Sequence, residues 1–179
     1  MLTEHDIYLF REGTHARLHE HLGCHPSATG EGAHFAVWAP NARSVSVIGD
    51  WNDWRGDAEP LQPRWDGSGI WEGFAGAARP GHAYKYRIVS AGGEAVPDKS
   101  DPFAFFCEEP PRTASRVWAL DYHWGDDEWM AARGARNAHD APISIYEVHA
   151  GSWRRRGDGS FLSYREMAEA LVPWVHEMG

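Results

Sequence analysis

Trp51 and Trp54 bracket Asn52 and Asp53 where an alternating run ends. An indole offers a flat face that stacks on flat ligands as well as filling cores. The chain carries ten tryptophans in 179 residues, and composition alone does not choose between these uses. Glu147 and His149 supply carboxylate and imidazole, the usual acid and base groups. His15 and His19 have the i, i+4 spacing that binds a metal when a third ligand joins, and His21, Cys24 and His25 lie nearby. No HExxH or paired-cysteine pattern surrounds them, so they are read as polar packing at a domain edge, with no metal site expected. Arg154, Arg155 and Arg156 form a short basic run that, without other basic clusters, reads as a solvated loop.

The elements that must position these groups are written in the hydrophobic pattern. Phe35 and Val37 alternate with Ala36 and Trp38, and Val45 and Val47 alternate with Ser44 and Ser46. Tyr84, Tyr86 and Ile88 alternate with Lys85 and Arg87. Period two predicts half-buried strands. Turn residues punctuate them at Pro40-Asn41, Gly49-Asp50, Asp66 to Gly69 and Gly92-Gly93, which is the layout of an all-β sandwich rather than of βαβ units. A further strand is expected over 70–74 and another over 115–120, and a short helical or irregular lead over 6–21. Residues 121–141 read as a polar surface connector.

After Pro142 the pattern changes. Residues 143–149 (ISIYEVH) are an apolar, β-branched run suited to a strand. Residues 162–179 carry a helix with a Ser163/Glu166 capping box, a Leu162/Met167 staple and a closing Gly179. Met167, Leu171, Trp174, Val175 and Met178 share a face, and Pro173 is expected to kink or break it. Strand, loop and amphipathic helix make one β/α unit, which cannot bury its own apolar surface.

Composition excludes several classes. Hydrophobic residues at 42% with 24% charged describe a folded chain, and a formal charge of −9 argues against a nucleic-acid partner. Cys24 and Cys107 have no paired spacing, so neither a disulfide framework nor a zinc site is signalled, and a reducing cytoplasm fits. The start MLTEHDIYLF lacks the basic region of a signal peptide, and no stretch approaches the ~20 apolar residues of a membrane span.

Four stretches, YLFREGTHARLHEHLGCHP (8–26), FAVWAPNARSVSVIGDWNDW (35–54), DPFAFFCEEPPRTASRVW (101–118) and PISIYEVHAGSWRR (142–155), resemble glycogen branching enzymes of the α-amylase superfamily. The resemblance implies an N-terminal lead (1–27), an immunoglobulin-like β-sandwich that is a family 48 carbohydrate-binding module (28–120), a connector (121–141) and the first β/α unit of an incomplete (β/α)₈ barrel (142–179). It implies an enzyme that cleaves an α-1,4 linkage, holds the glycan covalently and transfers it to a 6-hydroxyl, with no cofactor. Its partners would be α-1,4-glucan or glycogen and the remainder of the barrel.

That chemistry needs two carboxylates about 5 Å apart, which the family places on later barrel strands, so no residue here is assigned a catalytic role, Glu147 and His149 included. In similar modules the Trp at the position of Trp54 stacks on glucose and the Lys at the position of Lys85 binds hydroxyls. The second stacking Trp of those modules is replaced by Ala91-Gly92-Gly93-Glu94. The competing role is packing, with Trp51 under the sheet and Trp54 along a seam with the barrel. Rival readings are a trehalohydrolase or debranching enzyme of the same superfamily, or a non-catalytic glycan-binding protein.

Overall fold

The computed structural model describes residues 2–179. It divides into two compact units, one running through Tyr122 and one from His123 to Gly179.

Among the described residues of the first unit, eight strands form two four-stranded antiparallel sheets. One sheet runs β1 (Gly23–Pro26), β2 (Ala33–Trp38), β5 (Ile70–Ala75), β4 (Gln62–Pro63). The other runs β3 (Ala42–Gly49), β6 (Ala83–Ser90), β8 (Ser115–Arg116), β7 (Phe106–Cys107). The expected sandwich is present, and the chain changes sheet at the Pro40-Asn41 turn. Side chains from both sheets interleave between them: Phe35, Val37 and Trp71 from the first meet Val45, Val47, Tyr84 and Tyr86 from the second. Each such burial stabilises the fold by about 1.5–3 kcal/mol.

The outer face of the first sheet is partly covered too. Helix α1 (Glu4–Glu12) starts at a Thr3/Asp6 capping box and stops at Gly13, whose φ of 71° is left-handed. Its Ile7 and Phe10 pack with Leu2, Leu18, Leu22, Ala36 and Ile70 in a second apolar cluster. The alternation of β2 therefore buries both its faces, Phe35 inward and Ala36 beneath the helix.

Asp101 ties the DPF stretch to the second sheet. Its Oδ2 accepts from the hydroxyls of Tyr84 (2.7 Å) and Tyr86 (3.0 Å), and its Oδ1 accepts from the Phe103 N–H (2.8 Å). Its own N–H donates to Ser115 Oγ at 2.9 Å.

Several expectations are corrected. The strand predicted over 115–120 stops at Arg116. Residues 121–141 are more than a connector, since Asp127–Arg136 form helix α2, with Asp127 and Glu128 in its first turn and Arg133 and Arg136 in its last, charges that complement the helix dipole. Residues 143–149 form no strand. A strand exists through a hydrogen-bonded neighbour, and none of the described residues pairs with this run. Helix α3 (Tyr164–Met178) has the expected capping box and runs unbroken through Pro173, because the one missing donor is spanned by the ladder on either side.

The basic run is not simply solvated. Arg154 lies over the rings of Trp153 (4.5 Å) and Trp174 (5.2 Å), Arg155 over Phe161 (4.4 Å), and Arg156 pairs with Glu166. Hydrogen bonding to the Arg156 guanidinium, with help from Ser163, lowers the Glu166 carboxyl to about 2.

No residue of α2 or α3 is buried. Amide exchange is therefore expected to be faster in 164–178 by orders of magnitude than in β2, β3 and β6, because local opening of α3 exposes little new apolar surface. Hydrogen exchange with mass spectrometry checks this, and equal protection of the two regions would contradict it.

Candidate functional site

The site is built where β3 ends. After Gly49, residues Asp50–Asn52 make one 3-10 turn, and Asp53 and Trp54 follow with φ of 52° and 60°. Left-handed backbone at two successive non-glycine residues costs energy, and the surrounding bonds hold it. Buried Asn52 accepts from the Gly49 N–H (2.9 Å) and donates to the Val47 carbonyl (3.0 Å). Asp50 accepts from the Ala83 N–H at 2.8 Å, pinning the turn to the start of β6. The Trp54 N–H closes back on the Gly49 carbonyl at 3.1 Å.

This turn separates the two tryptophans. Trp51 folds inward, its ring stacked on Phe35 (5.7 Å between centroids) and His82 (6.0 Å). Its buried indole N–H has no hydrogen-bond acceptor among the described residues. That is a packing role. Trp54 is half-exposed, and its carbonyl accepts from Arg87 Nη1 at 3.4 Å.

Lys85 and Arg87 alternate on β6 with fully buried Tyr84 and Tyr86, so both point to the outer face of the second sheet. Lys85 Nζ donates to Thr113 Oγ1 at 2.7 Å, and Arg87 grips Asp98 with two bonds of 3.0 and 2.9 Å. That hydrogen bonding pulls the Asp98 carboxyl below its ordinary value and raises Arg87. The direct neighbour of Trp54 is thus Arg87, with Lys85 one pleat further along the same face. The Arg87–Asp98 pair was missed in the sequence, although Arg87 shares the i, i+2 alternation of Lys85. An aromatic ring beside a row of fixed donors and acceptors suits a ligand with one apolar face and a hydroxylated rim.

The histidines of the lead are not joined through the i, i+4 spacing of His15 and His19. His15 Nε2 lies 3.1 Å and His21 Nε2 3.5 Å from Asp6 Oδ1, while His19 stands apart. The ligand atoms of Asp6, His15 and His21 fall within 4.8 Å of one another, a spacing that could hold a metal ion. The Arg17 N–H, however, donates to His15 Nδ1 at 3.1 Å, which puts the neutral ring's proton on Nε2 and makes it a donor to Asp6. A metal would have to displace that bond. Bonds from Thr3 hold the Asp6 carboxyl far below the usual range, and the cluster clamps the lead to its own helix.

Residues 21–104 match the family described as carbohydrate-binding module 48 (isoamylase N-terminal domain). The matched residues contain β1 to β6 with the Trp54 turn and Lys85.

Along its whole length the chain is similar to proteins named 1,4-alpha-glucan branching enzyme GlgB. It is 62% identical to that of Albidiferax ferrireducens, covering 100% of this chain and 28% of the relative. It is 57% identical to that of Aromatoleum aromaticum, over 99% and 28%, and 52% identical to that of Aquifex aeolicus, over 100% and 29%. The chain thus spans less than a third of the length of these relatives. Among solved structures, ligand-free PulA from Klebsiella pneumoniae aligns with a TM-score of 0.45 at 25% identity, over 56% of this chain and 10% of that one.

Proposed function

We propose that this chain is the glucan-handling front part of a 1,4-α-glucan branching enzyme. The observation that carries the reading is similarity along the full chain, at up to 62% identity, to proteins of that name. In this reading residues 28–120 are the carbohydrate-binding sandwich, to which the lead of 1–27 adds β1 (Gly23–Pro26) as an edge strand, residues 121–141 connect, and 142–179 supply the first strand and helix of a (β/α)₈ barrel. The strand would form only against a neighbouring strand, and the apolar stripe of α3 would lie on that barrel. Branch formation belongs to carboxylates on later strands, and none is assigned among these residues. The setting is the cytoplasm, which accords with there being no described helix long and apolar enough to cross a membrane.

The module's ligand is α-1,4-glucan or glycogen. Trp54 supplies the stacking face and Lys85 an ammonium donor, with Arg87 and Asp98 fixing the rim between them. One platform rather than two makes weak, avidity-dependent binding the expectation. Affinity electrophoresis in glycogen gels tests it: Trp54→Ala should weaken retention by about 2- to 10-fold, the worth of one aromatic contact, and Lys85→Ala by less. Retention of Trp54→Ala equal to that of the parent chain would remove Trp54 from the site.

A further inference from the structure

The turn that links β4 to β5 carries an indole that packing does not explain. Trp65 is 81% exposed, and among the described residues its ring stacks on no other aromatic group. Yet the backbone that presents it is braced. Asp66 accepts from Arg64 Nε at 2.8 Å and from the Ser68 N–H at 2.9 Å, while Arg64 also reaches Glu72 at 2.8 Å. Arg11 of α1 donates to the Asp66 carbonyl, fixing the helix beside the turn. Between helix and turn lies a groove of about 250 Å³ lined by Glu4, Ile7, Tyr8, Arg11, Trp65 and Asp66. Its second aromatic wall is Tyr8, itself 56% exposed and stacked on His5 at 6.4 Å.

We propose that this groove is a second glucan contact, in which one pyranose ring of an α-1,4-glucan sits between Trp65 and Tyr8 with hydroxyls toward Glu4 and Arg11. The proposal rests on the glucan reading of the module and adds a site to it. Three observations favour a sugar over a protein partner. The groove is lined by six residues, against roughly 20–30 residues a side for a stable protein interface. Two of its six lining residues are aromatic and only Ile7 is aliphatic, so it is not a continuous aliphatic patch. Its lining also carries the carboxylates of Glu4 and Asp66 and the guanidinium of Arg11, which accept from and donate to hydroxyls. The site also answers the weakness of the first. Trp54 follows β3 of the second sheet, whereas Trp65 sits on the first sheet. One branched polymer reaching both would be held by two weak contacts acting together.

The test uses the 179-residue chain, with retention in glycogen gels and titration with maltoheptaose as readouts. Trp65→Ala and Tyr8→Ala should each lower maltoheptaose affinity at this site by about 2- to 10-fold. Trp65→Phe should restore most of the loss, and Trp65→Ala combined with Trp54→Ala should lose more glycogen retention than either alone. Because Trp65 is exposed, thermal melts of Trp65→Ala should match the parent chain. If Trp65→Ala binds like the parent chain while Trp54→Ala is weakened, the second site is refuted and the module's glucan reading stands. If the parent chain itself is not retained by glycogen, the glucan reading fails and this proposal with it. Loss on Trp65→Ala with Trp54→Ala unchanged would support the groove and overturn Trp54 as the module's contact.

Discussion

Replacing Asp101 with alanine is expected to lower the unfolding free energy of the sandwich by about 3–5 kcal/mol. Three donors converge on this buried carboxylate, two of them hydroxyls of tyrosines with no exposed surface. Deleting the acceptor leaves both buried hydroxyls and the partly buried Phe103 N–H without a partner, and each buried unsatisfied group costs about 1–3 kcal/mol. Asp101→Asn keeps the shape and one acceptor oxygen, so it should cost less.

The pH dependence separates charge from shape. Burial is the leading influence on Asp101 and raises its pKa above the ordinary carboxyl value, outweighing the bonds from Tyr84, Phe103 and Tyr86. A carboxyl that binds its proton more tightly when folded stabilises the native state most below its unfolded pKa. That advantage is lost as pH rises through the folded value. Relative to the native residue, Asp101→Asn should therefore look worst in acid and less damaging at neutral pH. Urea midpoints at both pH values check this, and a midpoint for Asp101→Ala equal to that of the parent chain would mean the tyrosine pair is not held by this carboxylate.

What could be read from the sequence follows the physics of each element. The long strands β2, β3, β5 and β6 were legible, three of them because the face turned to the opposite sheet takes large apolar residues at every second position. β1, β4 and β7 have two to four residues each, too few for a period to register. Helix α2 escaped because none of its residues is buried, leaving charge placement as the signal. The run 143–149 has the composition of a strand, but composition cannot supply the partner that makes one. At the lead, an i, i+4 pairing of His15 with His19 would need a continuous helix. The helix ends at Gly13, so His15 folds back to Asp6 and meets His21 instead. Trp54 and Lys85 stood out by type and position. The left-handed turn that turns Trp51 inward and leaves Trp54 half-exposed, and the Arg87–Asp98 pair beside it, depend on which strands become neighbours.

Gly49 is where fold and candidate site depend on the same atom, and Gly49→Ala is expected to cost about 1–3 kcal/mol and to weaken glycogen retention with it. The cause is space rather than backbone freedom. Gly49 is extended, with φ and ψ both −172°, a conformation any residue adopts. A Cβ built there would lie 2.5 Å from the Ala83 carbonyl oxygen and 2.6 Å from the Trp51 ring, closer than such atoms approach. Neither neighbour can step aside cheaply, because Ala83 is hydrogen-bonded to Asp50 and Trp51 is wedged against Phe35 and His82. Relief must come from the turn itself, and the Gly49 carbonyl is the acceptor that closes the loop on the Trp54 N–H. The strained φ values of Asp53 and Trp54 persist only while those bonds hold, so the extra methyl should release them and let Trp54 leave its place beside Arg87. Gly76→Ala is the control in the same unit: its nearest neighbour would be a Phe74 ring carbon at 3.9 Å, an ordinary contact, and stability should stay within about 0.5 kcal/mol. Melts and glycogen retention measured together on both variants decide the matter. A Gly49→Ala chain that loses stability but binds glycogen as before would uncouple the turn from the ligand and move the glucan contact away from Trp54.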